Sequence, residues 1–308
     1  MALNAALQQL IDAKLAHAHV PQWEMPIEDV RHAFRTLWTP AITGERVALP
    51  RVADIAMPGP AAAIPARVYV PQLRGGRPVL LYFHGGGYVK GGIDESDVFC
   101  RNLARATQHT VLSIAYRLAP EHRCPAALDD AVAATRWAAA HGAELDGVRG
   151  HVIVCGESAG GNLAALTCLR LRSRPELSIR HQILLQPVVD FTLSFPSIAM
   201  APGECLVPRD DLAWYYRTYC GDAVDARDPD VSPIFAGDLS RLPPALVIAA
   251  EFDTLRDEAA AYSRRLKAAG VDTEFVCAQG MIHGFLQMPG LVPDAVQRAL
   301  DTIARALR

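Results

Sequence analysis

The sequence predicts an α/β fold, a mostly parallel eight-stranded sheet flanked by helices and closed at one edge by a helical cap. Three observations carry that expectation. Short runs rich in Val, Ile and Leu alternate with helical stretches along most of the chain. Several of the runs are almost continuously apolar, as strands are when helices cover both faces of a sheet. One long segment, 191–238, departs from the alternation and is rich in Pro, Asp and aromatic residues.

The elements follow in order. Leu3, Leu7, Leu10, Ile11 and Leu15 recur at helical spacing, which predicts an amphipathic helix over 2–18, with Gln8, Asp12 and Lys14 on its polar side. Pro21 and Pro26 end that pattern, and a second helix is expected over Ile27–Leu37. Strands are then expected near Arg46–Met57, Arg67–Val70, Val79–Phe83, Thr110–Tyr116, His151–Cys155, His181–Gln186, Ala245–Ala250 and Thr273–Cys277. The first two read as an antiparallel entry to the sheet. Helices are expected over Asp97–Gln108, Pro125–Ala140, Gly160–Arg172, Arg256–Ala269 and Ala295–Leu307. The domain division is therefore N-terminal cap helices in 1–45, a first core part in 46–190, a cap insertion in 191–238 with one helix near Arg209–Tyr219, and a second core part in 239–308. Long insertions of this kind serve as lids or as remote surface decoration.

Composition narrows the function classes. The 308 residues suit one large domain; 51% are hydrophobic and 20% charged, as in ordinary globular proteins. A net charge of −3 provides no bulk attraction to nucleic acid or anionic membranes. The seven cysteines form no Cys-x-x-Cys and sit mostly in apolar runs, so no disulfide framework or zinc site is expected, and the chemistry read below requires no metal or cofactor. No apolar run is long enough to span a membrane, and the N-terminus lacks the basic and apolar regions of a signal peptide, so a cytoplasmic location is expected.

The chemistry concentrates in four places. Gly156-Glu157-Ser158-Ala159-Gly160-Gly161 lies between a predicted strand and a predicted helix. A serine on such a turn is projected at the sheet edge, and glycines two residues to either side let strand and helix backbones approach. His84-Gly85-Gly86-Gly87-Tyr88 follows another strand. Its unobstructed backbone N–H groups suit a developing oxyanion, each worth about 3 kcal/mol. Gly86 and Gly87 are the expected donors, with Ala159 as a third, while His84 and Gly85 support the loop. Of the ten histidines, His283 alone stands in a loop just after the last strand, where catalytic residues of parallel sheets gather. The acid that orients it comes from Glu251-Phe252-Asp253-Thr254-Leu255-Arg256-Asp257-Glu258. Asp253 is preferred because it lies just past a strand end; Asp257 and Glu258 fall in the first turn of the next helix, and Glu251 stays open as the alternative. Tyr88, Leu206, Val207, Trp214, Tyr215, Phe285 and Leu286 are the expected pocket residues, each with ordinary core packing as the competing explanation.

These motifs resemble the bacterial hormone-sensitive-lipase-type carboxylesterases, a branch of the α/β-hydrolases, over roughly 78–290. The matching residues are His84–Gly87, Tyr116-Arg117-Leu118-Ala119-Pro120-Glu121, Pro125-Ala126-Ala127, Gly156–Asn162, Asp253 with Leu255–Glu258, and His283-Gly284-Phe285. The resemblance implies an α/β-hydrolase fold and a Ser158, Asp253, His283 triad with an oxyanion hole. It also implies a cap built from the N-terminal helices and the insertion, and short- to medium-chain acyl esters as substrates. The partner would be a small ester; a homodimer is compatible with the family. Two positions depart from the family pattern. Glu157 stands where Asp is common before the serine, as it does in the longer cholinesterase-like enzymes that use a Glu acid. Thr254 stands where Pro is common after the acid. An acyltransferase, amidase or lactonase would use the same residues, and a ligand-binding protein on an inactive scaffold is the reading from another class.

Overall fold

The computed structural model describes residues 2–17, 20–72, 76–174, 177–221 and 224–308. Residue 18, at the end of the first expected helix, His19 and part of the cap insertion lie outside them. Among the described residues, eight strands form one sheet: β1 (Arg51–Met57), β2 (Ile64–Val70), β3 (Val79–Phe83), β4 (Val111–Ile114), β5 (His151–Glu157), β6 (Ser178–Leu185), β7 (Ala245–Phe252) and β8 (Thr273–Ile282). Their spatial order is β1-β2-β4-β3-β5-β6-β7-β8. β2 pairs antiparallel with β1 and β4, and from β4 to β8 every pairing is parallel. The expected mostly parallel sheet with an antiparallel entry is therefore present.

Side-chain alternation explains why these strands are apolar throughout. In β3, Val79, Leu81 and Phe83 enter one core while Leu80 and Tyr82 enter the other. β5 divides in the same way, Val152 and Val154 against Ile153 and Cys155. The first core is covered by α5 (Ala126–Ala140), α6 (Ala159–Leu171) and α8 (Arg256–Ala268). The second is covered by α4 (Asp97–Thr107) and α9 (Pro293–Ala306), with Leu7 and Ile11 of α1 (Ala5–His17) packed into it. Each face thus buries a continuous apolar layer, the dominant favourable term in folding.

Three further helices stand near the carboxyl edge: α2 (Ile27–Leu37), the one-turn α3 (Pro40–Thr43), and α7 (Arg209–Cys220) in the insertion. α3 was not foreseen; four residues carry no detectable helical period, and Pro40 at its first turn is its main sequence sign. β8 runs five residues beyond the expected Cys277, to Ile282, and rejoins β7 at Phe252↔Ile282 after an irregularity, carrying the chain up to His283. All seven cysteines are unpaired. Among the described residues no helix is long and apolar enough to cross a membrane.

Candidate active site

β5 ends at Glu157 and α6 begins at Ala159, so Ser158 alone makes the turn, with φ 56° and ψ −118°. A non-glycine residue in such a conformation costs roughly 1–3 kcal/mol and persists only when its surroundings hold it. Here Ser158 N donates to Leu185 O at 2.9 Å, and Ser158 O accepts from Asn162 N at 3.1 Å and Val188 N at 3.2 Å. The flanking glycines are required by contact: a Cβ on Gly156 would strike Gly160 O, and one on Gly160 would strike Phe83 O. Three backbones therefore meet at the elbow, those of β5, α6 and the end of β3.

His283 follows β8 and is 8% exposed. Its Nδ1 lies 2.9 Å from Asp253 Oδ2, and Asp253 is fully buried. A carboxylate only accepts, so Nδ1 carries the proton and Nε2 is left with its lone pair. Burial pulls the imidazole pKa down, but the charge and hydrogen bond of Asp253, with a smaller push from Glu157, hold it above the ordinary value. The other oxygen of Asp253 accepts from Leu255 N at 2.9 Å, at the start of α8. The loop of His283 is held by Gln186, whose Oε1 accepts from Gly284 N at 2.7 Å and whose Nε2 donates to Ile282 O at 3.3 Å. Sequence reasoning missed Gln186, because a glutamine at a strand end carries no signal of a partner 98 positions away.

The remaining carboxylates of this segment have other partners. Glu251 accepts from Gly280 N at 2.7 Å. Asp257 accepts from Ser197 N at 2.9 Å, and Glu258 accepts from Val189 N at 2.7 Å while burial drives its carboxyl pKa well up. Thr254, where the family commonly has Pro, donates from Oγ1 to Val207 O at 2.8 Å and so ties the acid loop to the insertion.

The glycine loop is braced from behind. His84 is buried, and burial lowers its imidazole to about 4, so it is neutral at neutral pH. Its Nδ1 donates to Gly85 O at 2.7 Å. Tyr116 donates to His84 O at 2.7 Å and stacks on the imidazole with ring centroids 4.2 Å apart. Gly86 and Gly87 have φ of 117° and 62°, and a Cβ on Gly87 would run into the ring of Tyr215. Both positions therefore demand glycine.

Gly85, Gly86, Gly87, Ser158 and His283 all open onto one cavity of about 570 Å³. Ala159, next to Ser158 at the first turn of α6, is fully buried. Of the expected pocket residues, Leu206, Val207 and Tyr215 line this cavity. Tyr88, Trp214, Phe285 and Leu286 do not. Tyr88 takes a left-handed φ of 65°, which turns its ring into the core, where it stacks on Tyr219 at 3.9 Å. Phe285 and Leu286 are fully buried in the second core. On α7 the cavity face is Asp211, Leu212, Tyr215 and Tyr216; Trp214 falls off that stripe and packs instead against the first core.

Much of the wall was not foreseen. α1 and α2 contribute Leu10, Lys14, Phe34 and Leu37, and the turn between them contributes Gln22. Glu157 also lines the cavity; its Oε2 accepts from Gln287 at 2.7 Å and Tyr82 at 3.2 Å, and burial holds its carboxyl above the ordinary range. No local pattern announces Gln287 or Tyr82, since each reads as a core position.

Comparison with known proteins identifies the fold and the family. A family model described as alpha/beta hydrolase fold matches residues 80–287. The carboxylic ester hydrolase LipN of Mycobacterium tuberculosis is 42% identical over 243 residues, covering 77% of this chain and 65% of its own length. An ethyl acetate hydrolase of Pseudomonas putida is 33% identical over 319 aligned positions, covering 100% of this chain and 99% of that protein. The solved structure of a hyperthermophilic esterase from the archaeon Pyrobaculum calidifontis superposes with a TM-score of 0.93 at 39% identity, covering 100% and 98% of the two chains.

Proposed function

The chain belongs to the alpha/beta hydrolase fold family, in its hormone-sensitive-lipase-type branch of carboxylic ester hydrolases, and from that membership we propose that it is a serine carboxylesterase cleaving short- to medium-chain acyl esters through a Ser158 acyl-enzyme. The observation that carries the proposal is the 2.9 Å bond between His283 Nδ1 and Asp253, which leaves Nε2 as a base on a cavity wall shared with Ser158. His283 takes the Ser158 proton as Oγ attacks the ester carbonyl. Asp253 holds the imidazole in the working tautomer and balances the imidazolium. The oxyanion is met by the N–H groups of Gly86, Gly87 and Ala159, the last at a helix N-terminus where the dipole favours negative charge. His283 then protonates the leaving alcohol, and water repeats the sequence to release the acid.

The roles of the neighbours follow from their contacts. His84, neutral and bonded to the backbone, shapes the glycine loop with Gly85 and takes no part in proton transfer. Gln186 positions the His283 loop through Gly284. The test is labelling with a fluorophosphonate followed by peptide mapping. The label is expected on Ser158, and Ser158→Ala is expected to lose both labelling and roughly five to six orders of magnitude in kcat. A label on any other residue, or turnover retained in Ser158→Ala, would overturn the assignment.

A further inference from the structure

Lys90 is a lysine inside the wall of the substrate cavity, four residues past the oxyanion glycine Gly86. Its Nζ donates to Gln22 Oε1 and lies over two aromatic faces, 5.1 Å from the centroid of Phe34 and 5.2 Å from that of Tyr215. Gln22 Oε1 is shared with the Tyr215 hydroxyl, which donates to it at 3.1 Å. Among the described residues the ammonium therefore has one neutral acceptor for its three N–H groups, and that acceptor already serves a second donor. The aromatic faces attract it as a charge but accept no strong hydrogen bond.

Among the described residues no carboxylate forms an ion pair with it: Glu28 of α2 and Glu121 both pair with Arg31, while Arg35 and His122 border it without an acidic partner for the ammonium. On α7, Asp211 is bonded to Lys14 of α1 at 3.1 Å. Lys14 spends a second donor on Leu206 O at 2.7 Å. On its own loop, Glu95 lies against Gly92. Glu157 is bonded through Oε2 to Gln287 and Tyr82, and neither of its oxygens is bonded to Lys90. Burial lowers the Lys90 ammonium to about 7, with Asp211 raising it and Lys14 lowering it by smaller amounts. A cation with unused donors facing a substrate cavity is an incomplete ion pair, and the molecule that enters the cavity can complete it.

We propose that Lys90 is a specificity-determining residue that selects esters carrying a second, anionic carboxylate, which its ammonium binds while the ester carbonyl sits at Ser158. This rests on the esterase reading. The geometry links the two ends: Gly87 packs against one part of the Tyr215 ring while Lys90 Nζ stands over that same ring. The oxyanion glycines, Ser158 and Lys90 line the same cavity, so one substrate in it faces both the glycines and the ammonium. A carboxylate on Lys90 forms a charge-assisted bond, and in an apolar cavity such bonds are stronger than neutral ones.

The test compares near-isosteric pairs that differ in charge. Monoethyl succinate against ethyl levulinate places the carboxylate on the acyl side; 4-acetoxybenzoate against 4-acetoxyacetophenone places it on the leaving-group side. For at least one pair, the wild-type ratio of kcat/KM, charged over neutral, is expected to fall by about tenfold or more in Lys90→Met, the size of one charged hydrogen bond. Lys90→Arg is expected to keep the preference, because the guanidinium stays charged. The sign of the pH dependence is a second readout. Lys90 is cationic below about 7 and neutral above it, so the wild-type ratio is expected to fall as pH rises through that value. His283 affects both esters of a pair and cancels from their ratio, and Lys90→Arg is expected to remove the fall. A ratio that Lys90→Met leaves unchanged in both pairs overturns the proposal. Failure of the wild-type protein to hydrolyse any of the four esters would instead sink the esterase reading.

Discussion

Asp253 and Glu251 stand two positions apart at the end of β7, yet they face different partners. Asp253 is buried against His283 Nδ1 and the N–H of Leu255, the residue that precedes α8. Glu251 is half-buried and reaches back to Gly280 N. This distinction sets the clearest expectation at the residue scale. Asp253→Asn keeps the shape but favours the wrong imidazole tautomer, so kcat is expected to fall about 10⁴-fold. Glu251→Gln retains an acceptor for Gly280 N, so kcat is expected to stay within about threefold, with at most about 1 kcal/mol lost in stability. Steady-state kinetics on both variants checks this, and a large loss in Glu251→Gln with activity retained in Asp253→Asn would move the acid role to Glu251. Sequence position alone could rank these two carboxylates but not separate them, because a strand end and a loop start differ by less than the error of any boundary.

At the scale of elements, helix α2 on the cavity wall is fastened to the core by a few polar side chains. Arg31 of α2 donates from Nε to Val89 O at 2.9 Å, from Nη2 to Ala119 O at 3.1 Å, and pairs with Glu121 at 2.7 Å. The Tyr116–Glu121 motif thus has two uses. Tyr116 braces the glycine loop, and Glu121 holds the helix that roofs the cavity. Arg31→Met is expected to raise KM several-fold with a smaller change in kcat, because α2 lines the cavity without touching Ser158 or His283. Loss of this partly buried charged network, roughly 2 kcal/mol, is expected to lower the melting temperature by about 3 °C. Kinetics with a thermal melt tests it; an unchanged KM would mean that packing alone fixes α2. The strands and helices themselves were legible in the sequence, since the apolar periods of β3, β5 and β7 reflect burial on both sheet faces. The placements of Tyr88, Trp214, Phe285 and Leu286 were not, because a large apolar residue beside a catalytic motif looks the same whether it lines a cavity or fills a core.

For the whole molecule, the decisive object is the cavity between the sheet edge and the helices above it. Its walls come from α1, α2, the turn between them, the glycine loop, the elbow and α7, segments spread from Leu10 to Gln287. At about 570 Å³ it falls in the range of small-molecule sites, and cationic side chains interrupt its apolar wall at Lys14 and Lys90. A series of p-nitrophenyl esters is therefore expected to peak in kcat/KM below roughly C12. A peak at C12 or longer would show that the cavity opens into a lipid-binding groove.

The sequence by itself determined the α/β class, the strand and helix order, and the residues on which the chemistry is proposed to rest. These are written in local terms: a two-residue or 3.6-residue apolar period, glycines where backbones touch, a serine between strand and helix, a histidine after the last strand. Only the tertiary structure decided which carboxylate meets His283, which residues form the cavity wall, and that Lys90 stands in it without a carboxylate partner among the described residues. Those facts depend on contacts between segments up to some 200 positions apart, such as Tyr215 with Gln22 and Gln287 with Tyr82. Such contacts leave no period in the chain; they arise when folding brings distant segments within the few ångströms over which hydrogen bonds and charges act.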